Sequence, residues 1–242
     1  MEIGSVKKFV VAFCKEYKSS LYLKFLIRST QEEALGNEEF TAEAIGRISG
    51  AYLPSRGVVL IAASNIRNES HLEGTLKHEI IGHFGLNTLE SSQKAKLLTA
   101  IKSSQKKPGV SDLWSRVSEL YLGEPPSRLA EEVFALSCES EKVALIESSE
   151  AYAAFERVCI VGQRSVTPRE IYSIGAYVAQ KLRDKSPQVI FPKADGDQFK
   201  ITQIRIMKTP SDLKKSGFRE TVENLSAVVD ERGDQRWEPE GK

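Results

Sequence analysis

Two of the chain's three histidines fall within one hexapeptide, His78-Glu79-Ile80-Ile81-Gly82-His83, inside a stretch of helical periodicity. Ser70 with Glu73 three residues later fits a capping box that opens this helix. Leu72, Leu76, Ile80 and Ile81 supply its apolar face, and Gly85 is placed to end it. In a regular α-helix, five residues of separation set two side chains about 140° apart around the axis, too far for both imidazoles to reach one ion. A π-type widening of the turn brings them back to within roughly 50°, and such bulges gather at functional sites. Gly82 suits that widening, since it tolerates an altered backbone and admits a close neighbour.

The residues before this helix mix short apolar runs with loops. Phe9–Phe13, Tyr22–Ile27 and Val58–Ala62 have the composition and length of strands. Asn37–Ser49 reads as a short helix, followed by a Gly50-Ala51-Tyr52-Leu53-Pro54 turn. Beyond the hexapeptide, helices are expected at about Ser92–Ile101, Asp112–Tyr121, Arg128–Cys138, Val143–Val158 and Pro168–Leu182, each bounded by Ser, Gly or Pro. Extended runs return at Val189–Phe191 and Phe199–Met207, and from Ala227 to Lys242 the charged, aperiodic sequence reads as a disordered tail. The expected class is α+β: a small N-terminal sheet packed on the histidine helix, then a helical body. Residues 1–190 form the main domain, 191–226 an extension with short strands, and 227–242 the tail.

With 34 Lys and Arg against 33 Asp and Glu, no bulk field draws in DNA or an anionic membrane. The segment Lys181–Arg219 is locally basic; a solvated face is the ordinary reading and a nucleic-acid contact the sharper one. Cys14, Cys138 and Cys159 are far apart and form no C-x-x-C pair, which argues against a disulfide framework and for a reducing compartment. The apolar run after Lys8 is too short for a signal peptide, and no stretch reaches the roughly 20 apolar residues that span a bilayer. The expected location is cytoplasmic, without a membrane partner.

Neutral imidazoles are the commonest zinc ligands, and a glutamate beside one can act as general base on a metal-bound water. The hexapeptide resembles the H-E-x-x-G-H motif of the dipeptidyl peptidase III family, which replaces the pentapeptide H-E-x-x-H and is followed roughly fifty residues on by a helical E-E-x-x-A segment. This chain has Glu131-Glu132-Val133-Phe134-Ala135. The resemblance implies that Glu132 is the third metal ligand, with Glu131 as the alternative, and that Ala135 sits where two helices press together. Where that family often carries a further acid, this chain has Leu136, so support for a histidine is expected from Glu139 or Glu131.

A longer stretch is similar to zincin-like peptidases of phage and plasmid-borne large polyvalent proteins. It runs through Gly50–Pro54, Gly57–Ala62 and Leu76–Leu86, within residues 46–140. That resemblance implies a zincin-like fold and Zn2+ held by His78, His83 and Glu132, with Glu79 as general base. It also implies a peptide or protein substrate laid along the edge of Val58, Val59, Leu60, Ile61 and Ala62. An oxyanion-stabilising donor would come from Tyr52, Tyr121, Tyr152, Tyr172 or Arg128. His71 stands two turns before His78, about 10 Å along the axis, as a surface or cleft-rim residue.

The expectation is thus a hydrolase, a zinc metallopeptidase. One rival is a non-proteolytic mobile-element protein that retains the metal fold and binds DNA or a host protein. Another is a module in which the metal only staples the helices.

Overall fold

The computed structural model describes residues 1–35, 48–121 and 123–184. The expected helix at Asn37–Ser49 falls largely outside them, as do the runs Val189–Phe191 and Phe199–Met207, the boundary at 190, the extension 191–226, the tail 227–242 and most of the basic segment. The fold is α+β, mostly helical, with one small mixed sheet.

The chain opens on a helix, α1 (Ile3–Glu16), where the apolar run Phe9–Phe13 had read as a strand. The reason is spacing. Val6, Val10, Phe13 and Cys14 form a stripe that is buried while Ala12 within the run stays exposed, and a stripe of that period is satisfied only by a helix. β1 (Lys24–Arg28) follows, then the short α2 (Gln31–Leu35). The Gly50–Pro54 segment is not a turn: Gly50–Leu53 is strand β2. Only afterwards does the chain reverse, through a 3-10 turn over Pro54–Arg56 that ends on Gly57, left-handed at φ 60° and ψ 40°, a conformation that favours glycine.

β3 (Val58–Ala62) lies in the middle of the sheet, in the order β1-β3-β2. It runs parallel to β1, with Lys24 opposite Val58 and Arg28 opposite Ala62, and antiparallel to β2, with Gly50 opposite Ile61 and Leu53 opposite Val58. All five of its residues are buried, as a continuous Val/Leu/Ile/Ala run allows in a central strand. The expected peptide-binding edge of Val58, Val59, Leu60, Ile61 and Ala62 is corrected accordingly, because both sides of this strand are already paired within the protein.

The helical body begins with α3. It starts as α-helix Glu69–Leu76, widens into π-helix over Lys77–Phe84, and closes with Gly85–Asn87. Its cap is Asn68, whose Oδ1 accepts from the His71 backbone N–H at 2.9 Å, so the helix opens before the expected Ser70 box. Nor does Gly85 end it: the residue is helical at φ -60° and ψ -41°. A Cβ at Gly85 would collide with Val178, so the glycine serves helix packing.

α4 (Ser91–Ser103) begins at a capping box of Glu90 and Gln93. α5 (Val110–Leu120) and α6 (Pro126–Cys138) follow, the latter with proline in its first turn. The expected single helix Val143–Val158 is broken into a 3-10 turn (Glu141–Leu145) and α7 (Ser148–Phe155), which runs on as a second π segment to Val161. α8 (Pro168–Arg183), capped by Thr167 and Glu170, packs along α7 and against α6. One apolar core joins α1, the sheet, α3 and α4 through α8, with Phe84, Phe134, Leu72 and Ile80 fully buried. Among the described residues no helix is long and apolar enough to cross a membrane.

Candidate metal centre

The π-helical turn decides where the two imidazoles point. His78 Nε2 and His83 Nε2 stand 3.2 Å apart. α6 crosses this turn at its most closely packed point, bringing Glu132 from its second turn against both rings. Glu132 Oε2 lies 3.4 Å from His78 Nε2 and 3.4 Å from His83 Nε2. The carboxylate is buried at 3% exposure, and among the described residues its Oε2 has no hydrogen-bond partner. Ordinary hydrogen bonds run near 2.9 Å. A triangle of 3.2, 3.4 and 3.4 Å between three lone-pair atoms matches instead the edges of a tetrahedral site: bonds of about 2.0–2.1 Å imply ligand-to-ligand separations of about 3.3–3.4 Å. His78, His83 and Glu132 therefore fit a divalent ion, and their ligand atoms all lie within 4.8 Å of one another.

Each ring is also held from behind. His78 Nδ1 is 2.8 Å from Glu139 Oε1, and His83 Nδ1 is 3.4 Å from Glu131 Oε1. A carboxylate at Nδ1 keeps the proton there and leaves Nε2 bare, the tautomer a metal requires. Glu139 lies one helical turn beyond Ala135 and supplies the acid that Leu136 does not. Lys94 Nζ of α4 completes the outer arc, 3.3 Å from Glu131 Oε2.

The electrostatics follow from burial against charge. Burial works against charging His78, but Glu132 and Glu139 outweigh it and raise its pKa well above the usual imidazole value. Burial likewise opposes the charged form of His83, yet Glu132 and Glu131 carry it up to about 9. Burial would raise both glutamates; for Glu132 the two histidines hold the carboxyl well below its ordinary range. For Glu131, His83 and Lys94 bring it down to about 2. An anionic carboxylate between two imidazoles is thus the stable arrangement.

Glu79, the residue after His78, faces the cavity beside the centre and is also tied to the sheet. It is buried, and its Oε2 accepts from the Tyr52 backbone N–H at 2.8 Å. The carboxylate is pinned onto the outer edge of β2, the sheet edge nearest the histidines. Burial raises its pKa, opposed by the two histidines. Contact this close requires Gly50, where a Cβ would stand 2.6 Å from Thr75 Cγ2.

A cavity of about 370 Å³ opens beside the centre, lined by Ser49, His71, Glu79, Tyr121, Glu132 and Glu139 among others. The Tyr121 hydroxyl hydrogen-bonds to the Glu132 carboxylate; burial first, and then that charge, push its phenol above the ordinary range. His71 lies at the cavity rim. Its Nδ1 accepts from the Arg67 N–H at 3.1 Å, which leaves the Nε2 proton facing Ser49 Oγ at 3.4 Å. Of the other proposed oxyanion donors, Tyr152 packs near Tyr177 and Tyr172 lies beneath Lys142, away from this cavity. Tyr52 contributes its backbone rather than its hydroxyl, and the Arg128 charge acts on Glu131. The roles of Ser49 and Lys94 carried no sequence signal, since neither stands in a motif. A larger groove of about 620 Å³ between α1, α7 and α8 contains none of the three ligand candidates.

No family model matches this chain, and no solved structure matches it. Over 197 residues it is 32% identical to the DNA primase TraC of Escherichia coli, an alignment that covers 75% of this chain and 14% of that protein. The chain thus corresponds to a small fraction of the relative's length. This similarity overturns the expectation of a zinc metallopeptidase, and with it the hydrolase and protease reading and the resemblance to peptidase families. That resemblance rested on short motifs, whereas the similarity to a DNA primase runs through three quarters of the chain. The supposed substrate strand also has no free edge.

Proposed function

We propose that this chain is a metal-clamped module of a DNA-processing protein, with nucleic acid as its partner and Zn2+ as its ion. The metal reading is carried by the Glu132 Oε2 atom, buried without a hydrogen-bond partner among the described residues and equidistant at 3.4 Å from two imidazole nitrogens. The nucleic-acid reading is supported by the relative named as a DNA primase. Zinc suits a two-imidazole, one-carboxylate donor set in a buried setting. In this reading His78 and His83 on α3 and Glu132 on α6 hold the ion, and its binding energy becomes folding energy for the two helices it joins.

The chain's own groups do the rest. Glu139 and Glu131 orient the rings, Tyr121 orients Glu132, and Glu79 latches α3 to β2. With the sheet packed on the metal helix, the arrangement is zincin-like, used here to build a rigid platform. Such a platform would present a surface to DNA, with affinity dominated by phosphate contacts and therefore by salt.

The test is a pair of measurements on the full chain: zinc content after purification, and binding of a labelled single-stranded oligonucleotide across a salt series. Stoichiometric zinc, with DNA affinity that falls as salt rises, is the expected result. Absence of zinc in the wild type removes the metal reading, and absence of DNA binding at low salt removes the nucleic-acid one. Replacing His78 by alanine should release the zinc.

A further inference from the structure

We infer that Lys94 of α4 is a positioning residue for the metal centre, acting through Glu131 and Asn87; the inference rests on the metal reading above. Lys94 Nζ donates to Asn87 Oδ1 at 2.6 Å and pairs with Glu131 Oε2 at 3.3 Å. Asn87 is the last residue of α3, four residues beyond His83. Glu131, through its other oxygen, faces His83 Nδ1 at 3.4 Å. One ammonium therefore holds both the helix end that follows His83 and the carboxylate that orients its ring.

The two histidines are supported unequally. At His78 the Nδ1 contact is short, 2.8 Å, and reaches Glu139, whose side chain is 37% exposed; solvent and a direct bond suffice there. At His83 the carboxylate is 10% exposed and the contact is longer, at 3.4 Å. A buried carboxylate needs a compensating charge and a fixed orientation. Lys94, itself only 21% exposed, supplies both from a fixed position, since its ammonium is also anchored on Asn87 Oδ1. Lys94 thus holds Glu131 in place with its other oxygen aimed at His83 Nδ1.

Outer-shell partners of metal-bound histidines typically contribute 10–100-fold to affinity, and Lys94 stands one contact further out, so about a tenfold effect is expected. The experiment measures Zn2+ affinity by chelator competition on the full chain, with 15N-edited NMR of the histidine rings. Lys94→Met should weaken zinc about tenfold and loosen the Nδ1–H preference of His83, leaving the His78 signals in place. Lys94→Arg should restore most of the loss, and Lys96→Met, whose lysine bonds the Ile160 carbonyl at 2.5 Å away from the centre, should match the wild type. Asn87→Ala frees the other anchor without touching a charge and should weaken zinc in the same direction, which keeps the test open if Lys94→Met does not fold. Unchanged affinity and unchanged His83 signals in Lys94→Met, or in Asn87→Ala where that variant stands alone, overturn the inference. If the wild type takes up no zinc, the metal reading itself fails; if the wild type binds and the variants bind equally, only the role of Lys94 fails.

Discussion

Gly82 of α3 and Ala135 of α6 meet where the two helices cross: a Cβ on Gly82 would stand 2.6 Å from Ala135 Cα and 2.7 Å from Ala135 Cβ. The crossing lies one residue before His83 and three residues after Glu132, so the distance between helices at this point sets whether the carboxylate reaches both rings. Two small residues are what allow a buried, unpartnered oxygen to sit 3.4 Å from each imidazole.

Gly82→Ala must therefore push the helices apart or distort the π turn. Overpacking of this kind costs about 1–3 kcal/mol, and the same displacement pulls Glu132 from His78 and His83. The expected outcome in chemical denaturation is a lower midpoint with an unchanged slope, together with weaker zinc binding in chelator competition. A variant with wild-type stability and wild-type affinity would show that the crossing is looser than these distances state.

Glu132 and Glu131 are neighbours in sequence but not in role. Glu132→Gln removes the carboxylate that, among the described residues, faces both Nε2 atoms, and zinc affinity should fall by more than the roughly 10–100-fold of an outer partner. Glu131→Gln leaves the three donors in place and weakens one ring's support, for a loss of about 10–100-fold. Parallel titrations of the two proteins check the order, and an equal loss would contradict it.

Some of this site could be read in the sequence because its cause is local. The five-residue spacing of His78 and His83 allows convergence only through a widened turn, and Gly82 is the residue that permits both the widening and the close crossing; the π-helix Lys77–Phe84 is that turn. What escaped depends on contacts between distant segments. The run Phe9–Phe13 looks like a strand until Val6, Val10 and Cys14 are seen to share a face. Gly50–Leu53 looks like a turn until β3 pairs with it. The tie from Glu79 to the sheet is invisible until Tyr52, 27 residues away, donates to it. Function was misread for a related reason: a short motif reports a donor set, and the same donors can clamp helices as well as cut a bond.

The Glu79 latch can be tested without the metal. Its acceptor role needs an oxygen but no charge, and burial already disfavours the charged form. Glu79→Gln can keep an acceptor for the Tyr52 N–H, so its melting temperature should equal or exceed that of the wild type, with zinc retained. Glu79→Ala leaves that N–H unsatisfied in a buried setting and should lower stability by about 1–3 kcal/mol. Thermal melts of the two variants decide, and a destabilised Gln variant beside a neutral Ala variant would refute the latch.

Removing the ion should make stability fall as pH rises above about 6.5. In the metal-free protein His83 has a folded pKa of about 9 against an unfolded value of about 6.5. Its contribution is therefore complete below pH about 6.5 and lost as pH rises through about 9. Glu131 runs the other way: depressed to about 2 when folded, it contributes above its unfolded value of about 4.3 and loses that contribution as pH falls through about 2. The metal-free protein should accordingly be most stable between pH about 4.5 and 6.5 and weaken toward pH 9.5. Zinc requires bare Nε2 atoms and competes with the protons that stabilise the metal-free form, so its added stability should grow over that same rise in pH. Melting temperatures with excess zinc and with excess chelator, taken from pH 5 to 9.5, should diverge as pH increases. A metal-free curve that stays level or climbs between pH 6.5 and 9.5 would mean that the Glu132 and Glu131 carboxylates do not stabilise the charged imidazole of His83 in the folded state.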